Sequence, residues 1–190
     1  MRLPIRVLFV CEGNICRSPY AAVAFEERWR SLTGERPVVA SAGTRAPLGA
    51  AAHPDLEPYF RDEDSIARLH AHRSRRLEAR QIREHSLVIT MEGGQREQVL
   101  DLAPAALRRT FTLLELARLA ERVLAEPAEV RDGDTLTSLT GRHRLALAAA
   151  GGEGDVADPI GGAPSDFARM AHDIDSALAS TVELLRLVHR

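Results

Sequence analysis

The sequence has no lysine, so all 25 of its fixed positive charges are arginines, set against 27 acidic residues. The resulting formal net charge of −2 gives no reason to expect a nucleic-acid groove or a surface that attracts a membrane. A local arginine cluster still suits a small oxyanion, because each planar guanidinium group offers two parallel donors. We therefore expect neither a nucleic acid nor a membrane as a partner.

Cysteine is almost absent as well, with only Cys11 and Cys16 in the chain. Two thiols so close together cannot form the disulfide framework of a small secreted domain. They are also too few for a four-cysteine zinc site. We expect a reduced, cytoplasmic protein that holds no metal and no cofactor.

Long hydrophobic runs are missing too. The apolar run at residues 5–10 is shorter than the core of a signal peptide and has no small-residue cleavage site. No segment approaches the roughly 20 apolar residues that a membrane helix needs.

A length of 190 residues with 45% hydrophobic residues favours one domain, residues 1–190, with a sizeable core.

The N-terminal segment has the pattern of a strand, a loop and a helix. Residues 5–10 are apolar and rich in β-branched side chains, which is typical of a strand buried on both faces of a parallel sheet. The loop that follows contains Gly13 and Asn14, which reach backbone angles that most residues avoid. Ser18 and Pro19 then predict the N-cap and first residue of a helix.

Strands and helices alternate along the rest of the chain. Short strands are predicted at residues 38–42, 87–91 and 109–112, an apolar helix at 113–124 and a final helix at 164–188. This order predicts an α/β sandwich with a mostly parallel sheet. In such a fold the ligand lies beyond the carboxyl ends of the strands.

Residues from about 125 to 157 interrupt this pattern and suggest an insertion. They contain a turn-like Asp132-Gly133-Asp134, a helical stretch at about 138–149 and a glycine-rich end. Long connections in compact domains are often lids or disordered excursions. A functional segment and a solvated surface decoration both remain open for this part of the chain.

The chemistry-bearing feature is a strand ending at Cys11, with Arg17 six residues later at the start of a helix. The amide hydrogens of residues 12–17 can point inward around a tetrahedral oxyanion, and the positive end of the helix adds to their field. Arg17 can offer two parallel hydrogen bonds to phosphate oxygens. The same positive field favours the thiolate of Cys11, to which Ser18 can donate a hydrogen bond.

Residues 10–19, Val-Cys-Glu-Gly-Asn-Ile-Cys-Arg-Ser-Pro, resemble the signature of the low-molecular-weight protein tyrosine phosphatases. The resemblance extends to Ser-Ala-Gly-Thr at residues 41–44, His-Arg-Ser-Arg at 72–75 and Asp-Pro at 158–159. It therefore covers most of the chain. The segment at about 125–157 falls outside it.

The resemblance implies a three-layer fold, in which a four-stranded parallel sheet is flanked by helices and the phosphate loop joins the first strand to the first helix. It implies that Cys11 is the nucleophile, that Arg17 binds the phosphoryl oxygens and that Asp158 is the general acid and then the general base. Asn14 and Ser18 would brace the loop. The remaining loop residues implied to surround the substrate are Glu12, Gly13, Ile15 and Cys16.

Two aspartates compete for the role of the acid. Asp158 precedes a proline, so it is held on a loop rather than in a helix. A carboxylic acid there can protonate a leaving phenolate and then activate water. Asp155 is the rival, while Asp166 better fits a partner for the first turn of the last helix.

The implied activity is hydrolysis of phosphotyrosine in proteins through a phosphocysteine intermediate, by a monomer or a weak homodimer. Ile160 and Gly161 stand where many relatives have two tyrosines, which weakens stacking on a phenyl ring. Glu12 places a carboxylate beside the nucleophile. Family members that act on phosphoarginine carry threonine at the position of Ile15, and an apolar residue there suits an aryl substrate better.

Three other functions stay open: an arsenate reductase that uses an external small thiol, a phosphoarginine phosphatase, and a non-catalytic module that binds phosphoproteins. Cys16 either packs quietly under the loop or forms a reversible disulfide with Cys11. His72 is a candidate for bracing the loop. The neighbouring Arg73, Arg75 and Arg76 either attract a phosphorylated substrate or form a solvated face.

Overall fold

The computed structural model describes residues 4–126, 134–149 and 154–189, and its centre is a four-stranded sheet. The strands are all parallel, in the order β2-β1-β3-β4. This confirms the predicted sheet. The strands are β1 Arg6–Cys11, β2 Val38–Gly43, β3 Leu87–Thr90 and β4 Thr110–Thr112.

Seven α-helices are present in the described part of the chain. They are α1 Arg17–Thr33, α2 Glu63–Ala71, α3 Ala79–Glu84, α4 Gly93–Leu102, α5 Leu113–Ala125, α6 Leu136–Ala149 and α7 Pro164–Val188. Two short 3-10 helices lie at Pro54–Tyr59 and Pro104–Arg109. No helix in these described ranges is both long enough and apolar enough to span a membrane.

The sheet is covered on both faces, which confirms the three-layer fold. Alternate residues of a strand point to opposite faces, and the β1 side chains accordingly enter two separate cores. Val7 and Phe9 pack with residues of α1, α5 and α7. Leu8 and Val10 pack with residues of α3 and α4. Burial on both faces explains why β1 is an unbroken apolar run.

The carboxyl ends of the strands meet at one edge of the sheet, and this edge carries the site. Cys11 is in register with Gly43 of β2, and Val10 with Thr90 of β3. Outside β2, Arg76 forms an isolated parallel bridge with Gly43. The loop between Cys11 and α1 therefore begins between the carboxyl ends of β2 and β3.

Helix α1 begins at Arg17, one residue before the predicted N-cap Ser18. The N-cap is Cys16, which makes no side-chain capping hydrogen bond. Ser18 cannot serve as the cap because its hydroxyl group contacts the sulfur of Cys11 and the amide of Asn14 instead. The contacts of Ser18 with Cys11 and Asn14 thus outweigh the preference of serine for the N-cap position.

Of the segment at about 125–157, residues 127–133 and 150–153 lie outside the described residues, and with them most of the predicted turn at 132–134. Helix α6 confirms the helical stretch expected there. Its Leu139 is fully buried in the core that also holds α5 and α7. The interpretation of this segment as an insertion stays a prediction.

Candidate active site

The sulfur of Cys11 is buried at the end of β1 and receives polar contacts from the loop and the following helix. The backbone N–H of Asn14 donates to Sγ at 3.2 Å, and Ser18 Oγ lies 3.0 Å from Sγ. Ser18 Oγ accepts a hydrogen bond from Asn14 Nδ2 at 2.9 Å, and its own hydrogen is shared between the sulfur and the Ala42 carbonyl, which lies 3.4 Å away. The sulfur is therefore held in a polar cage at the base of the loop.

Asn14 fixes the shape of the loop from the inside. It is fully buried and has a φ of 52°, a left-handed conformation that asparagine tolerates better than most residues. Its Nδ2 group also donates to Ser41 Oγ at 2.9 Å, and its Oδ1 accepts from Arg75 N at 3.0 Å. His72 Nε2 lies 2.8 Å from the Asn14 carbonyl oxygen, so it donates and the ring contacts the loop as expected.

The end of β2 holds the loop from the other side. Thr44 N donates to the Cys11 carbonyl at 3.0 Å, and Arg45 N donates to the Glu12 carbonyl at 2.9 Å. The approach is so close that a Cβ atom at Gly43 would lie 2.4 Å from the Glu12 oxygen and 2.9 Å from Asn14 N. Only glycine fits at this position without displacing the loop.

Arg17 is buried, with a side chain only 1% exposed, and bonds to three acceptors. Its Nη1 donates to Glu92 Oε1 and, at 3.0 Å, to the Val156 carbonyl. Its Nη2 donates to Asp158 Oδ2 at 2.6 Å. Burial by itself lowers the pKa of Arg17, but the Glu92 hydrogen bond and the Asp158 charge outweigh it and raise the pKa above its usual value. The guanidinium group is therefore charged and fixed in one orientation.

Cys16 differs from Cys11 in its electrostatic surroundings. Burial, followed by the negative charge of Asp158 and that of Cys11, raises the pKa of Cys16 to about 12. It therefore remains a neutral thiol at physiological pH and is a poor nucleophile. Both cysteines are free thiols in the structure.

The two candidate acids occupy different places. Asp158 lines the same cavity as Cys11, and its Oδ2 contacts Arg17. Asp155 lies outside that lining, where its Oδ1 accepts a hydrogen bond from Gly93 N, at the start of α4. Asp166 accepts from Ala163 N at 2.8 Å, in the first turn of α7. The geometry thus brings Asp158, and not Asp155, into the cavity that Cys11 lines.

The cavity at this edge of the sheet has a volume of about 300 Å³. It is lined by Cys11, Glu12, Gly13, Ile15, Cys16, Arg17, Arg45, Asp158 and Ile160. Asn14 and Ser18 are absent from this lining, and both are fully buried and bonded to one another. A larger cavity of about 600 Å³, between α1 and α7, shares no residue with this one and contains no cysteine.

Three partners of the site carry little signal in the sequence. Glu92 and the Val156 carbonyl orient Arg17, and Ser41 holds Asn14. Ser41 lay in a segment that matches the family pattern, although no role was assigned to it. Glu92 carried a weaker signal, because it follows the carboxyl end of β3, where ligand-contacting residues of parallel sheets collect.

Fold and site together define an α/β protein with a cysteine at the base of an oxyanion-binding loop, closed by an arginine and a carboxyl group. The sequence model of the family described as low molecular weight phosphotyrosine protein phosphatase matches residues 6–137. The chain belongs to this family and is a phosphatase.

Individual relatives agree with this assignment. The protein-arginine-phosphatase of Geobacillus stearothermophilus is 30% identical over 171 residues, covering 90% of this chain and 88% of the relative. The low molecular weight protein-tyrosine-phosphatase Wzb of Salmonella typhi is 37% identical over 99 residues, 52% of this chain and 62% of Wzb. The solved structure of the arginine phosphatase YwlE from Geobacillus stearothermophilus has a TM-score of 0.68 at 27% identity, covering 96% of this chain and 94% of that one.

Proposed function

We propose that this protein is a protein tyrosine phosphatase that hydrolyses phosphotyrosine through a phosphocysteine intermediate on Cys11. The observation that carries the proposal is the cavity of about 300 Å³ that contains Cys11, Arg17 and Asp158 together. A nucleophile, a cation for the phosphoryl oxygens and a proton donor are the groups that such a reaction requires.

The first step transfers the phosphoryl group to the protein. The phosphoryl oxygens bind the loop amides, the N-terminus of α1 and the guanidinium group of Arg17. This binding displaces Asp158 from its hydrogen bond with Arg17, and the freed carboxylate takes up a proton from solvent. The Cys11 sulfur attacks phosphorus in line as the bond to the tyrosine oxygen breaks, and Asp158 gives its proton to that oxygen.

The second step returns the protein to its starting state. The Asp158 carboxylate takes a proton from a water molecule, and the oxygen of that water attacks the phosphorus of phosphocysteine. The sulfur–phosphorus bond breaks, so inorganic phosphate leaves and Cys11 is again a thiolate. Asn14 N and Ser18 Oγ stabilise the departing sulfur, since both contact it already.

Apolar walls favour an aryl group over a smaller polar one. Ile15 and Ile160 both line the cavity, and Ile160 is 53% exposed, so it is free to contact a ring that enters from solvent. Burying an apolar ring against these two side chains is favourable by the hydrophobic effect. Neither side chain can stack as an aromatic residue would.

Phosphoarginine is a second candidate substrate. The Geobacillus stearothermophilus relative, 30% identical over 90% of this chain, is a protein-arginine-phosphatase. The carboxylates of Glu12 and Asp158 both line the cavity, and a guanidinium group pairs well with carboxylates. The same nucleophile would then break a phosphorus–nitrogen bond.

The test compares kcat/KM for two peptides of one sequence that carry either phosphotyrosine or phosphoarginine. We expect at least a tenfold preference for phosphotyrosine, which Ile15→Thr should reduce. The reverse preference in the unmodified protein would assign phosphoarginine. Equal rates for the unmodified protein and Cys11→Ser would contradict both substrates.

Two further measurements address the remaining alternatives. Arsenate-dependent oxidation of an external small thiol, without hydrolysis of either peptide, would indicate an arsenate reductase. Tight binding of phosphopeptide without release of phosphate would indicate a non-catalytic binding module. The proposal requires phosphate release in both experiments and a phosphorylated protein as the partner.

A further inference from the structure

Three neighbouring arginines beside the phosphate loop form no ion pair with a carboxylate in the described part of the chain. Arg73, Arg75 and Arg76 are exposed. Within the described ranges none of their guanidinium groups lies within 4.0 Å of a carboxylate. Nearby acids have other partners: Glu57 contacts His70 at 2.7 Å, and Glu78 caps α3. The segment thus carries concentrated positive charge on a chain whose net charge is −2.

The strand register places these arginines close to the nucleophile. Cys11 is paired with Gly43, and Gly43 is bridged to Arg76. Neighbouring strands lie about 4.8 Å apart, so the backbone of Arg76 is roughly 10 Å from that of Cys11 at the same edge of the sheet. Arg75 is tied to the loop itself, because its N–H donates to Asn14 Oδ1 at 3.0 Å.

Arg45 links this segment to the cavity. Its side chain lines the cavity and is 76% exposed, and its contact with the Glu12 carboxylate is long, at 3.5 Å. The loop after Arg45 then bonds to the arginine segment, where Gly49 N donates to the Ser74 carbonyl at 2.9 Å. The backbone of the arginine segment is therefore joined to the loop that follows Arg45 at the rim of the cavity.

We propose that Arg45, Arg73, Arg75 and Arg76, here called the arginine surface, make the enzyme prefer phosphorylated segments that carry acidic residues near the phosphorylated one. The inference rests on the proposed phosphatase function. An extended peptide advances about 3.3 Å per residue, so a distance of roughly 10 Å corresponds to about three residues. Aspartate or glutamate two to four positions from the phosphorylated residue would reach the arginine surface.

The experiment measures kcat/KM for phosphotyrosine peptides with three aspartates at positions two to four from the phosphotyrosine, on either side. A matched peptide carries asparagine at those positions. We expect the aspartate peptide of one polarity to be hydrolysed with about fivefold higher kcat/KM at low salt. This ratio should fall close to one in Arg75→Gln/Arg76→Gln, and also at high salt, because ions screen the interaction.

A matched control removes the same charge elsewhere. Arg83 and Arg108 are exposed and precede β3 and β4, so they lie toward the opposite edge of the sheet. Arg83→Gln/Arg108→Gln should therefore keep the fivefold ratio.

Three other outcomes would contradict the arginine surface or the proposed function. A ratio near one in the unmodified protein, with both peptides hydrolysed, would overturn the arginine surface and leave the proposed function standing. A ratio that Arg75→Gln/Arg76→Gln leaves unchanged would also overturn it. Hydrolysis of neither peptide by any protein would overturn the proposed function, and the inference with it.

Discussion

Arg17 and Asp158 bond to one another across the cavity, with Nη2 of the arginine 2.6 Å from Oδ2 of the aspartate. The arginine side chain is 1% exposed and the aspartate side chain is 39% exposed. The pair therefore consists of one buried residue and one residue that solvent reaches. In the proposed mechanism an incoming phosphoryl group competes with Asp158 for the same donor, so substrate binding would also release the acid.

Asp158→Asn removes the proton donor and tests its role. We expect kcat for phenol-like leaving groups to fall by roughly 10²-fold, in line with general acid catalysis. Activated leaving groups such as nitrophenol need less protonation, so their rates should fall much less. Steady-state rates over a series of substituted aryl phosphates give this dependence.

Asp155→Asn is the control for that series, since Asp155 bonds to Gly93 N and not to Arg17. It should leave the dependence on the leaving group unchanged. Equal slowing of all substrates by Asp158→Asn would show that the proton comes from another group.

Glu92 positions Arg17 through the hydrogen bond to Nη1. Glu92→Gln keeps the shape of the side chain but loses the charge that balances a buried guanidinium group. We expect about a tenfold lower kcat/KM and a matching loss of affinity for inorganic phosphate, measured as competitive inhibition. Glu97→Gln, at an exposed position on the same helix, should be neutral. Unchanged phosphate inhibition in Glu92→Gln would contradict this role.

Gly43 and Gly94 form a matched pair for the close approach of β2 to the loop. A methyl group at Gly43 would lie 2.4 Å from the Glu12 carbonyl, whereas one at Gly94 meets no atom within 4 Å. Gly43→Ala should lower the free energy of unfolding by roughly 1–3 kcal/mol, as overpacking does, and weaken phosphate binding. Gly94→Ala should be neutral or slightly stabilising. Denaturant titration checks both, and equal stabilities would contradict the packing argument.

His72 makes stability depend on pH. Burial lowers its pKa from 6.5, and the charges of Arg75 and Arg73 act in the same direction against the opposing hydrogen bond to Asn14. Below pH 6.5 the unfolded chain therefore binds more protons than the folded one, so stability falls as the pH falls. The slope is at most about 1.4 kcal/mol per pH unit for one group.

His72→Gln should remove this part of the pH dependence in urea titrations between pH 7.5 and about pH 5. Burial also lowers the pKa of His85, so a second component of the same sign remains in that variant. His85→Gln removes the second component and serves as the comparison. A pH dependence identical in His72→Gln and the unmodified protein would rule out the effect.

Local patterns were sufficient for the sheet and for the loop. The run at residues 5–10 predicts a doubly buried strand because both faces of β1 enter a core. The loop at residues 12–17 is a contiguous segment, so its amides and Arg17 could be recognised together in the sequence, although Ser41 and His72 help to hold its shape. Both the strand and the loop residues are therefore visible as local patterns in the sequence.

Contacts between distant residues could not be predicted in the same way. The bond between Arg17 and Glu92 joins residues 75 apart and depends on the pairing of β1 with β3. The start of α1 shifted because Ser18 bonds to the loop rather than to its own helix. Asp155 and Asp158 lie three positions apart, but Asp155 bonds to Gly93 N at the start of α4 while Asp158 lines the cavity.

The phosphocysteine intermediate can be detected directly as phosphate on Cys11. The protein is mixed with excess phosphotyrosine peptide, denatured within milliseconds and analysed by fragmentation mass spectrometry. We predict phosphocysteine at Cys11 and none at Cys16, whose pKa of about 12 keeps it neutral. Cys16→Ser should retain the adduct and Cys11→Ser should lose it together with all turnover. Turnover without any phosphorylated Cys11, or turnover that survives in Cys11→Ser, would contradict a phosphocysteine mechanism on Cys11.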